Sequence, residues 1–568
     1  MVCRADAVEC IIHRRTGWIE LTEIKAKNEL VGNKARCSSI GSILGTTLML
    51  EEKTDAEQQG IKRIDVEAVN TAGVREPLYA ARKKVFPQRA KGTFRRLKWI
   101  IMVLTLAVYY ITPWLKWDRG EFAPDQAVLI DLANRRFYFF FIEIWPQEFY
   151  YVAGLLVMAG IGLFLVTSTV GRAWCGYTCP QTVWVDLFLV VERAIEGDRN
   201  ARIKLDKSPW SVNKLAKRLS KHAVWLLIAV STGGAWIFYF AEAPNLLREL
   251  VTLQAPAIAY ITIAILTATT YTFGGLMREQ VCTYMCPWPR IQAAMLDEHS
   301  ATVTYNDWRG EPRNKHTKKA IAEGKNVGDC VDCNACVAVC PMGIDIRNGQ
   351  QLECITCALC IDACDNVMDK LGKERGLISY TTLNDYNANV KLATGPDGLV
   401  NPKNVRGKNG RLVDAVINAN WRTLIRPRTL LYAALLGSIG FGMLYVLSTR
   451  DQLSLSVLHD RNPLYVLLSD GSVRNGYDVK IVNMENDPRT IELTMNGLAG
   501  GSMRLAGQNS EPVGTLQFEI EPDQVHPLRL YVQADPDDLA GKSEIFEFVI
   551  TDIQNDESAV ARAKFETP

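Results

Sequence analysis

Five long apolar runs constrain the fold of this chain more than any other feature. Each has roughly 18 residues or more with few charges, about the length that an α-helix needs to cross the ~30 Å hydrocarbon core of a membrane. They cover 97–114, 149–170, 223–240, 251–273 and 430–447. The sequence therefore predicts an α-helical membrane protein, and its 568 residues leave room for domains outside the bilayer.

Basic residues predict how these runs are oriented. Lys and Arg are dense at 82–98 and 199–221, whereas the loop at 241–250 contains only Arg248. Positively charged segments near membrane helices stay on the cytoplasmic side. With five crossings, we expect the N-terminus and the segment 274–429 in the cytoplasm, and everything after about 448 on the opposite side.

The runs divide the chain into six parts. We expect a four-helix membrane domain at 97–298, a cytoplasmic segment at 299–429, a fifth helix at 430–447 and an outer domain at 448–568. A cytoplasmic N-terminal segment at 49–96 precedes them. The leader 1–48 resembles nothing downstream, and its Cys3, Cys10, His13 and Cys37 lack a regular metal-ligand spacing. Met49 would make a natural initiator, so we interpret the leader as an over-extended start.

Eight of the 15 cysteines form two copies of C-x2-C-x2-C-x3-C, at 330–340 and 354–364. In this spacing three thiolates surround one cubane iron–sulfur cluster and the fourth ligates its neighbour. A zinc site uses four ligands and would leave half of the pattern unexplained. We therefore predict a ferredoxin-like domain at about 325–370 with two [4Fe-4S] clusters, one held by Cys330, Cys333, Cys336 and Cys364, the other by Cys354, Cys357, Cys360 and Cys340.

The second copy departs from the first at one position. Pro341 follows Cys340, but Asp365 follows Cys364. A carboxylate beside a cluster would lower its reduction potential by opposing an added electron. The alternative is that Asp365 changes only the local turn.

Two further cysteine pairs follow apolar runs, in "AWCGYTCPQ" at 173–181 and "VCTYMCPWP" at 281–289. Both are C-x3-C-P. If the preceding helix continued, the paired thiols would share one face. Pro180 and Pro287 suit the first turn of a new helix, which would place Cys179 and Cys286 at helix N-termini, where the dipole favours thiolate.

The two pairs mark an internal repeat, because each ends a predicted hairpin of spans. Parallel repeats commonly share a site at their interface. Cys175, Cys179, Cys282 and Cys286 are thus a candidate metal site with catalytic function, with Met277 and Met285 nearby, and soft sulfur ligands favour Cu(I). Another metal, a further cluster, or buried helix-end cysteines without a metal are the alternatives.

Histidines argue against a transmembrane haem. Two axial imidazoles within the spans would be needed, and of the six histidines only His222 touches a span end. We interpret His299 and His316 as surface residues.

Past residue 450 the pattern changes to short alternating strands separated by turn residues. About seven strands in roughly 115 residues are typical of an immunoglobulin-like sandwich, here without cysteine. No catalytic constellation is evident in it. We expect a docking or supporting role, by analogy of fold.

From about residue 80 onward, the chain resembles the CcoG family, also called FixG or RdxA, the accessory proteins of cbb3-type cytochrome oxidase. The resemblance rests on "GRAWCGYTCPQTVW", "EGDRNARIKLDKSPW", "CTYMCPWPRIQAAMLDEHSATVTYNDWRGEPR" and the eight-cysteine block. It implies a bacterial inner-membrane protein with a periplasmic C-terminal domain that reduces Cu(II) to Cu(I) during assembly of the oxidase copper centre. It also implies copper chaperones and a copper-transporting ATPase as partners. The electron donor would be a cytoplasmic protein or molecule that the sequence does not identify.

Two other functions remain open. Membrane quinol-oxidising subunits of respiratory reductases share the C-x3-C-P and ferredoxin elements, but lack the all-β domain. A non-enzymatic assembly scaffold with purely structural clusters is the other alternative.

Overall fold

In the computed structural model, residues 84–568 are described except 121, 122, 408, 418–424, 486, 508–510, 539 and 540, together with 2, 3, 10, 11, 64 and 66. The chain forms two compact units, 1–54 and 55–568. In the first, strands β1 (Val2–Cys3) and β2 (Cys10–Ile11) pair antiparallel. His13, Cys37 and Met49, and with them most of the predicted leader, lie outside the described residues.

Helices form the first two thirds of the described chain. They are α1 Thr93–Ile111, α2 Tyr150–Val170, α3 Ala173–Tyr177, α4 Pro180–Glu196, α5 Arg199–Lys207, α6 Val212–Ile237, α7 Ala243–Val251, α8 Ala257–Thr270, α9 Trp288–Met295, α10 Asp307–Gly310, α11 Thr317–Ala322, α12 Ala335–Val339, α13 Leu359–Leu371, α14 Leu383–Ala393 and α15 Pro427–Ser448. Two π-helical segments, Tyr271–Met277 and Val281–Met285, follow α8.

Four helical stretches in the described residues are long and apolar enough to cross a membrane: Thr93–Trp114, Pro146–Val170, Ala257–Met277 and Pro427–Ser448. They coincide with four of the five predicted spans. The predicted span at 223–240 lies mostly within α6, which is not among the four. Lys214, Lys217, Arg218 and Lys221 lower the apolar character of its first half.

Helix α6 nevertheless runs from one end of the helical layer to the other. It is antiparallel to α8, because His222 Nδ1 and Tyr271 Oη are 2.8 Å apart while Gly233 approaches Ile263. At 26 residues it is about 39 Å long at 1.5 Å per residue. Its length and packing thus match a fifth crossing, although its composition does not.

A small antiparallel meander follows the first span. Strands β3 (Val128–Asp131), β4 (Arg136–Phe139) and β5 (Ile142–Ile144) form it in the order β3-β4-β5. The buried Gln126 beside it donates to Phe238 O and accepts from Ala243 N, just past the C-terminal end of α6. The loop after α1 and the loop after α6 therefore lie at the same end of the helical layer.

The C-terminal region is the predicted β-sandwich, with nine strands rather than about seven. Before it, strands β6 (Thr302–Tyr305) and β7 (Ile378–Thr381) form a separate antiparallel pair. The sandwich strands are β8 Leu453–His459, β9 Val466–Leu467, β10 Val473–Asn483, β11 Arg489–Asn496, β12 Ser502–Leu505, β13 Thr515–Ile520, β14 Gln524–Ala534, β15 Ser543–Asp552 and β16 Ser558–Glu566. One sheet has the order β12-β14-β10-β8 with β9 on β10, and the other has β13-β11-β15-β16. Tyr477, Phe546, Phe548 and Phe565 fill the core between them.

The sandwich contacts the meander through a buried ion pair, and a second pair joins the segments that flank them. Arg136 lies 2.7 Å from Asp523 and stacks 3.7 Å from the ring centroid of Trp145. Arg450, just after the fifth predicted span, lies 3.3 Å from Glu148. The sandwich and the meander therefore occupy the same end of the helical layer.

Candidate functional site

The two C-x3-C-P elements begin with the same backbone break. Helix α2 ends at Gly171 (φ 61°), and the π-helix after α8 ends at Arg278 (φ 47°). Each break stands four residues before the first cysteine of its pair, Cys175 or Cys282. The repeat predicted from the sequence is thus present in the backbone. Both span helices end before their cysteine pair. The paired thiols therefore do not share a face of a continuing span helix, which was one possibility predicted from the sequence.

Each second cysteine precedes a new helix, as the prolines predict. Cys179 is the N-cap of α4, with Pro180 in its first turn. In the second copy Pro287 is itself the N-cap of α9, so Cys286 lies one residue outside that helix. At Cys179 the dipole does not decide the protonation state, because burial raises its pKa despite backbone hydrogen bonds from Thr182 and Gln181 that lower it.

The first thiol is held by a buried polar chain. Cys175 Sγ donates to Oε1 of Gln292 at 3.0 Å, and Gln292 Nε2 donates to Thr167 Oγ1 at 3.2 Å. Gln292 is fully buried and belongs to α9, the helix that the second C-x3-C-P element starts. A side chain of the second repeat therefore orients the thiol of the first.

The four thiols of these elements are neighbours. Burial raises the pKa of Cys175 to about 12, and the nearby Cys179, Cys282 and Cys286 add to the rise. Burial likewise raises the pKa of Cys282 to about 12, with Cys179 and Cys286 adding to it. In the positions that they occupy, no three His, Cys, Asp or Glu side chains among the described residues are close enough to hold one metal ion. Closing around a single ion would require side-chain rotation.

The eight-cysteine block brings its thiols together around helices α12 and α13. Cys364, on α13, lies with the first copy: burial and then the thiols of Cys336, Cys333 and Cys330 raise its pKa well above the ordinary value. Helix α13 lies beside α12, which contains Cys336. The last cysteine of the second copy, Cys364, therefore lies next to the thiols of the first copy.

The second group is assembled in the same way. Burial, followed by the thiols of Cys357, Cys354 and Cys340, raises the pKa of Cys360 well above its ordinary value. One cavity is lined by the four thiols of this group, by Cys336 of the first group and by apolar side chains. The four thiols are those of Cys340, Cys354, Cys357 and Cys360. Thiol donors around an apolar cavity suit a cubane cluster, whose four ligands stand farther apart than those of a single ion. The residues therefore fit the predicted cofactor.

Secondary structure explains why Asp365, and not a proline, follows Cys364. The helix before Cys340 ends at Val339, so Pro341 is outside it, whereas α13 continues from Cys364 to Leu371. A proline at 365 would break that helix. Asp365 Oδ1 instead accepts a hydrogen bond from Gly376 N at 3.0 Å, and burial raises its pKa.

The first C-x3-C-P element packs directly on the loop of the second cysteine group. Tyr177 Oη donates to Cys357 O at 3.1 Å. A Cβ on Gly176 would lie 2.7 Å from Ile355 O and 3.0 Å from Cys357 Cα, so only glycine fits this approach. Arg172 Nη1 donates to Cys354 O at 2.8 Å and also to Leu352 O. Backbone touches backbone between the two thiol sets.

A shared apolar core encloses both sets. Buried Cys175 and Cys357 belong to one hydrophobic cluster with Met342 and Ile355, and the partly buried Cys282 packs against it. A cavity of about 30 Å³ lined by Cys282, Met342 and Ile355 adjoins this core.

The ferredoxin-like domain is also joined to the first span. Buried Asp362 of α13 accepts hydrogen bonds from Phe94 N at 3.1 Å and Arg95 N at 2.7 Å, at the start of α1. It replaces the missing side-chain cap of that helix, since Gly92 is its N-cap residue. Asp362 thus ties the cysteine block to the end of α1 that lies away from the meander.

Fold and site together define a membrane-bound iron–sulfur protein that carries 4Fe-4S-binding domains. Family models agree: residues 277–383 match a "4Fe-4S dicluster domain", 152–196 a "4Fe-4S binding domain", and 443–568 an "IG-like fold at C-terminal of FixG". The 152–196 match contains Cys175 and Cys179, which keeps a further cluster open for that pair.

The chain belongs to the FixG/RdxA family. It is 64% identical over 509 residues to nitrogen fixation protein FixG of Rhizobium meliloti, covering 89% of this chain and 97% of the relative. It is 55% identical over 459 residues to protein RdxA of Cereibacter sphaeroides, covering 81% of this chain and 91% of the relative. The protein is therefore a FixG-like iron–sulfur electron-transfer protein with an oxidoreductase role.

Among solved structures, one that matches is a FixG-related protein from Vibrio parahaemolyticus. The two are 27% identical, and the match covers 21% of this chain and 98% of that one, with a TM-score of 0.18.

Sequence reasoning missed the residues that join the two thiol sets. Gly176, Tyr177, Arg172 and Gln292 all lie within the quoted family strings. A glycine between two cysteines is a signal for close approach, but its partner is about 180 residues away and could not be read from the sequence.

Proposed function

We propose that this protein is a cupric reductase that passes electrons from two [4Fe-4S] clusters to Cu(II) bound at the C-x3-C-P thiols, and releases Cu(I) for assembly of the copper centre of a cbb3-type oxidase. The observation that supports it is the packing of Gly176 and Tyr177 on the loop of Cys357. This contact would place the two thiol sets on adjoining backbone segments.

The eight block cysteines would hold the clusters in the two groups described above. When bound, such clusters supply single electrons. The chain's own contribution is to bury them and to surround Cys175 and Cys357 with shared apolar side chains, among them Met342 and Ile355.

Copper is the substrate in this proposal. Sulfur ligands bind Cu(I) more tightly than Cu(II), which makes a bound Cu(II) easier to reduce. Because burial keeps the pKa of Cys175 and Cys282 high, these thiols are protonated at neutral pH and release their protons as copper binds. Exposed Met285 beside Cys286 would offer an additional soft donor.

The proposal includes a location and partners. The ferredoxin-like domain would face the cytoplasm of the bacterial inner membrane and meet an unidentified donor there, because the basic segment 199–221 lies at its end of the helical layer. The sandwich would face the periplasm. Copper chaperones, a copper-transporting ATPase and the assembling oxidase would supply or receive the copper. A periplasm-dependent reporter fused after Pro568 should be active, and an inactive fusion would contradict this orientation.

A copper assay tests the chemistry. The purified holoprotein is reduced, Cu(II) is added with a Cu(I)-specific chelator, and bound copper is counted in parallel because the chelator competes with the site. We expect the Cys282→Ser/Cys286→Ser double variant to lose Cu(I) formation and bound copper while retaining iron and sulfide. Tyr284→Phe, at an exposed residue between the two thiols, is the matched control.

Cys354→Ser separates the reductase from a scaffold. A reductase should bind copper and fail to reduce it when a cluster is lost, whereas a scaffold should still support oxidase assembly. Equal rates of Cu(I) formation in the double serine variant and in the parent would refute the assigned copper site.

A further inference from the structure

A large polar cavity lies where α4, α5, α6 and the π-helical segment Tyr271–Met277 meet. Its volume is about 500 Å³, within the usual range of ligand pockets. His222 and Trp225 of α6 line it, as do Gly275 and Leu276 near the end of a membrane-span candidate. It therefore lies at the depth where the helical layer gives way to its polar surroundings.

Basic side chains dominate the lining. Lys84, Lys214, Arg218, Lys221 and Arg278 face the cavity, against only Glu192 and Asp206. Such an excess of positive charge in a partly buried space is costly unless an anion offsets it.

The surrounding ion pairs do not remove this excess. Glu192 is shared among Arg202 at 2.9 Å, Arg278 at 3.0 Å and Lys221 at 3.7 Å. Glu196 lies 3.0 Å from Lys221, which it shares with Glu192.

Arg218 and Lys84 likewise share carboxylates with their neighbours. Arg218 pairs with Glu196 and with Asp206, and Lys84 pairs with that same Asp206 at 3.0 Å. Five cations therefore share three carboxylates, those of Glu192, Glu196 and Asp206. The cations are Lys84, Arg202, Arg218, Lys221 and Arg278.

Lys214 makes no ion pair within the described part of the chain. It is buried, and its ammonium donates to two backbone carbonyls, Asp206 O at 3.0 Å and Ser208 O at 2.6 Å. An ammonium has three donors, so one remains for a ligand in the cavity. The same ammonium lies 5.3 Å from the ring centroid of Trp210.

The rim of the cavity has the character of a membrane surface. Trp210 is 76% exposed, and Val212 and Leu219 on α6 are 85% and 61% exposed. Tryptophan is enriched where a helix leaves the hydrocarbon core, and basic pockets between membrane helices bind anionic head groups.

We propose that this basic cavity binds the phosphate group of an anionic ligand, and its position at the edge of the helical layer favours an anionic phospholipid as the source. The phosphate would accept from Lys214 and share the field of Lys221 and Arg278. A soluble phosphate compound has the same phosphate group and would enter the cavity from the aqueous side. The proposal is independent of the copper chemistry above, since none of the cysteines lines this cavity.

A binding experiment tests it on the full-length holoprotein in detergent. Short-chain phosphatidylglycerol is titrated while tryptophan fluorescence is followed, with Trp210 and Trp225 at the site as reporters. Phosphatidylcholine of the same chain length is the lipid control, and inorganic pyrophosphate is the soluble probe. Lys214→Gln removes the ammonium that makes no direct ion pair in the described part of the chain, and Lys217→Gln removes a charge from the same helix outside the cavity.

We expect saturable binding of phosphatidylglycerol, none of phosphatidylcholine, and about tenfold weaker binding in Lys214→Gln, because a charge-assisted hydrogen bond is lost. Lys217→Gln should bind like the parent. Pyrophosphate that binds with the same variant pattern and displaces the lipid would support the phosphate site and assign it to a soluble ligand.

Three results would overturn the proposal. They are no saturable binding of either phosphate probe, equal binding of the two lipids, and equal loss in the Lys214 and Lys217 variants, which would indicate nonspecific attraction. If Lys214→Gln does not fold, Lys84→Gln replaces it, since Lys84 is 64% exposed and lines the same cavity.

Discussion

Replacement of Gly176 by alanine tests the contact on which electron transfer between the two thiol sets would depend. The new Cβ would lie 2.7 Å from Ile355 O and 3.0 Å from Cys357 Cα, whereas ordinary contacts begin at 3.4 Å. Both partners are backbone atoms, so the loop of the second cysteine group must move by about 0.7 Å.

The magnitude follows from two opposing effects. Overpacking of this kind costs about 1–3 kcal/mol. Alanine in a helix recovers about 0.5–1 kcal/mol relative to glycine, and Gly176 lies within α3. We therefore expect a net loss of about 1–2 kcal/mol in the free energy of unfolding, with the element displaced from Cys357.

The matched control is Gly160→Ala. Gly160 lies on the preceding helix α2, and a Cβ there meets no atom within 4 Å. This variant should be as stable as the parent or slightly more stable.

The assay follows the visible absorbance of the clusters during heating, and the rate of Cu(I) formation at fixed iron and sulfide content. Gly176→Ala should lower the midpoint by about 1 °C per kcal/mol lost in a chain of this size, and should slow copper reduction while keeping its clusters. If Gly176→Ala matches Gly160→Ala in both the midpoint and the rate, the contact has no role in stability or electron transfer.

Two further changes test the joints around the site. Asp362→Ala should lower the free energy of unfolding by about 2–4 kcal/mol, because the backbone N–H groups of Phe94 and Arg95 lose their buried acceptor. The control is Asp369→Ala, on the exposed face of the same helix, which should have little effect. Unfolding midpoints measure both. Asp297 is paired with Arg426, which overcomes the effect of burial and holds its pKa at about 2, below the usual 3.8. A depressed carboxyl pKa stabilises the fold above pH 4 and loses that effect as the pH falls toward 2, so Asp297→Asn should cost about 1–2 kcal/mol near pH 7 and nothing near pH 2; a pH-independent difference would contradict this.

Local patterns determined much of the architecture. Apolar length predicted four of the membrane helices, because a span must satisfy its own backbone hydrogen bonds and cover the hydrocarbon core. Period-two alternation predicted the sandwich, and cysteine spacing predicted the 4Fe-4S-binding domain, since both depend on nearby residues in regular geometry. The predicted span at 223–240 is less apolar than the other four, because α6 combines a basic first half with an apolar second half.

Tertiary structure alone decided how these parts meet. Gln292 of the second repeat orients the thiol of Cys175 in the first, and Gly176 rests on a loop about 180 residues later in the chain. Asp362 caps a helix whose first residues precede it by more than 260 positions. Such contacts join segments that share no local periodicity. The sequence contains the glycine, the amide and the carboxylate, but only the packed fold shows which backbone each one touches.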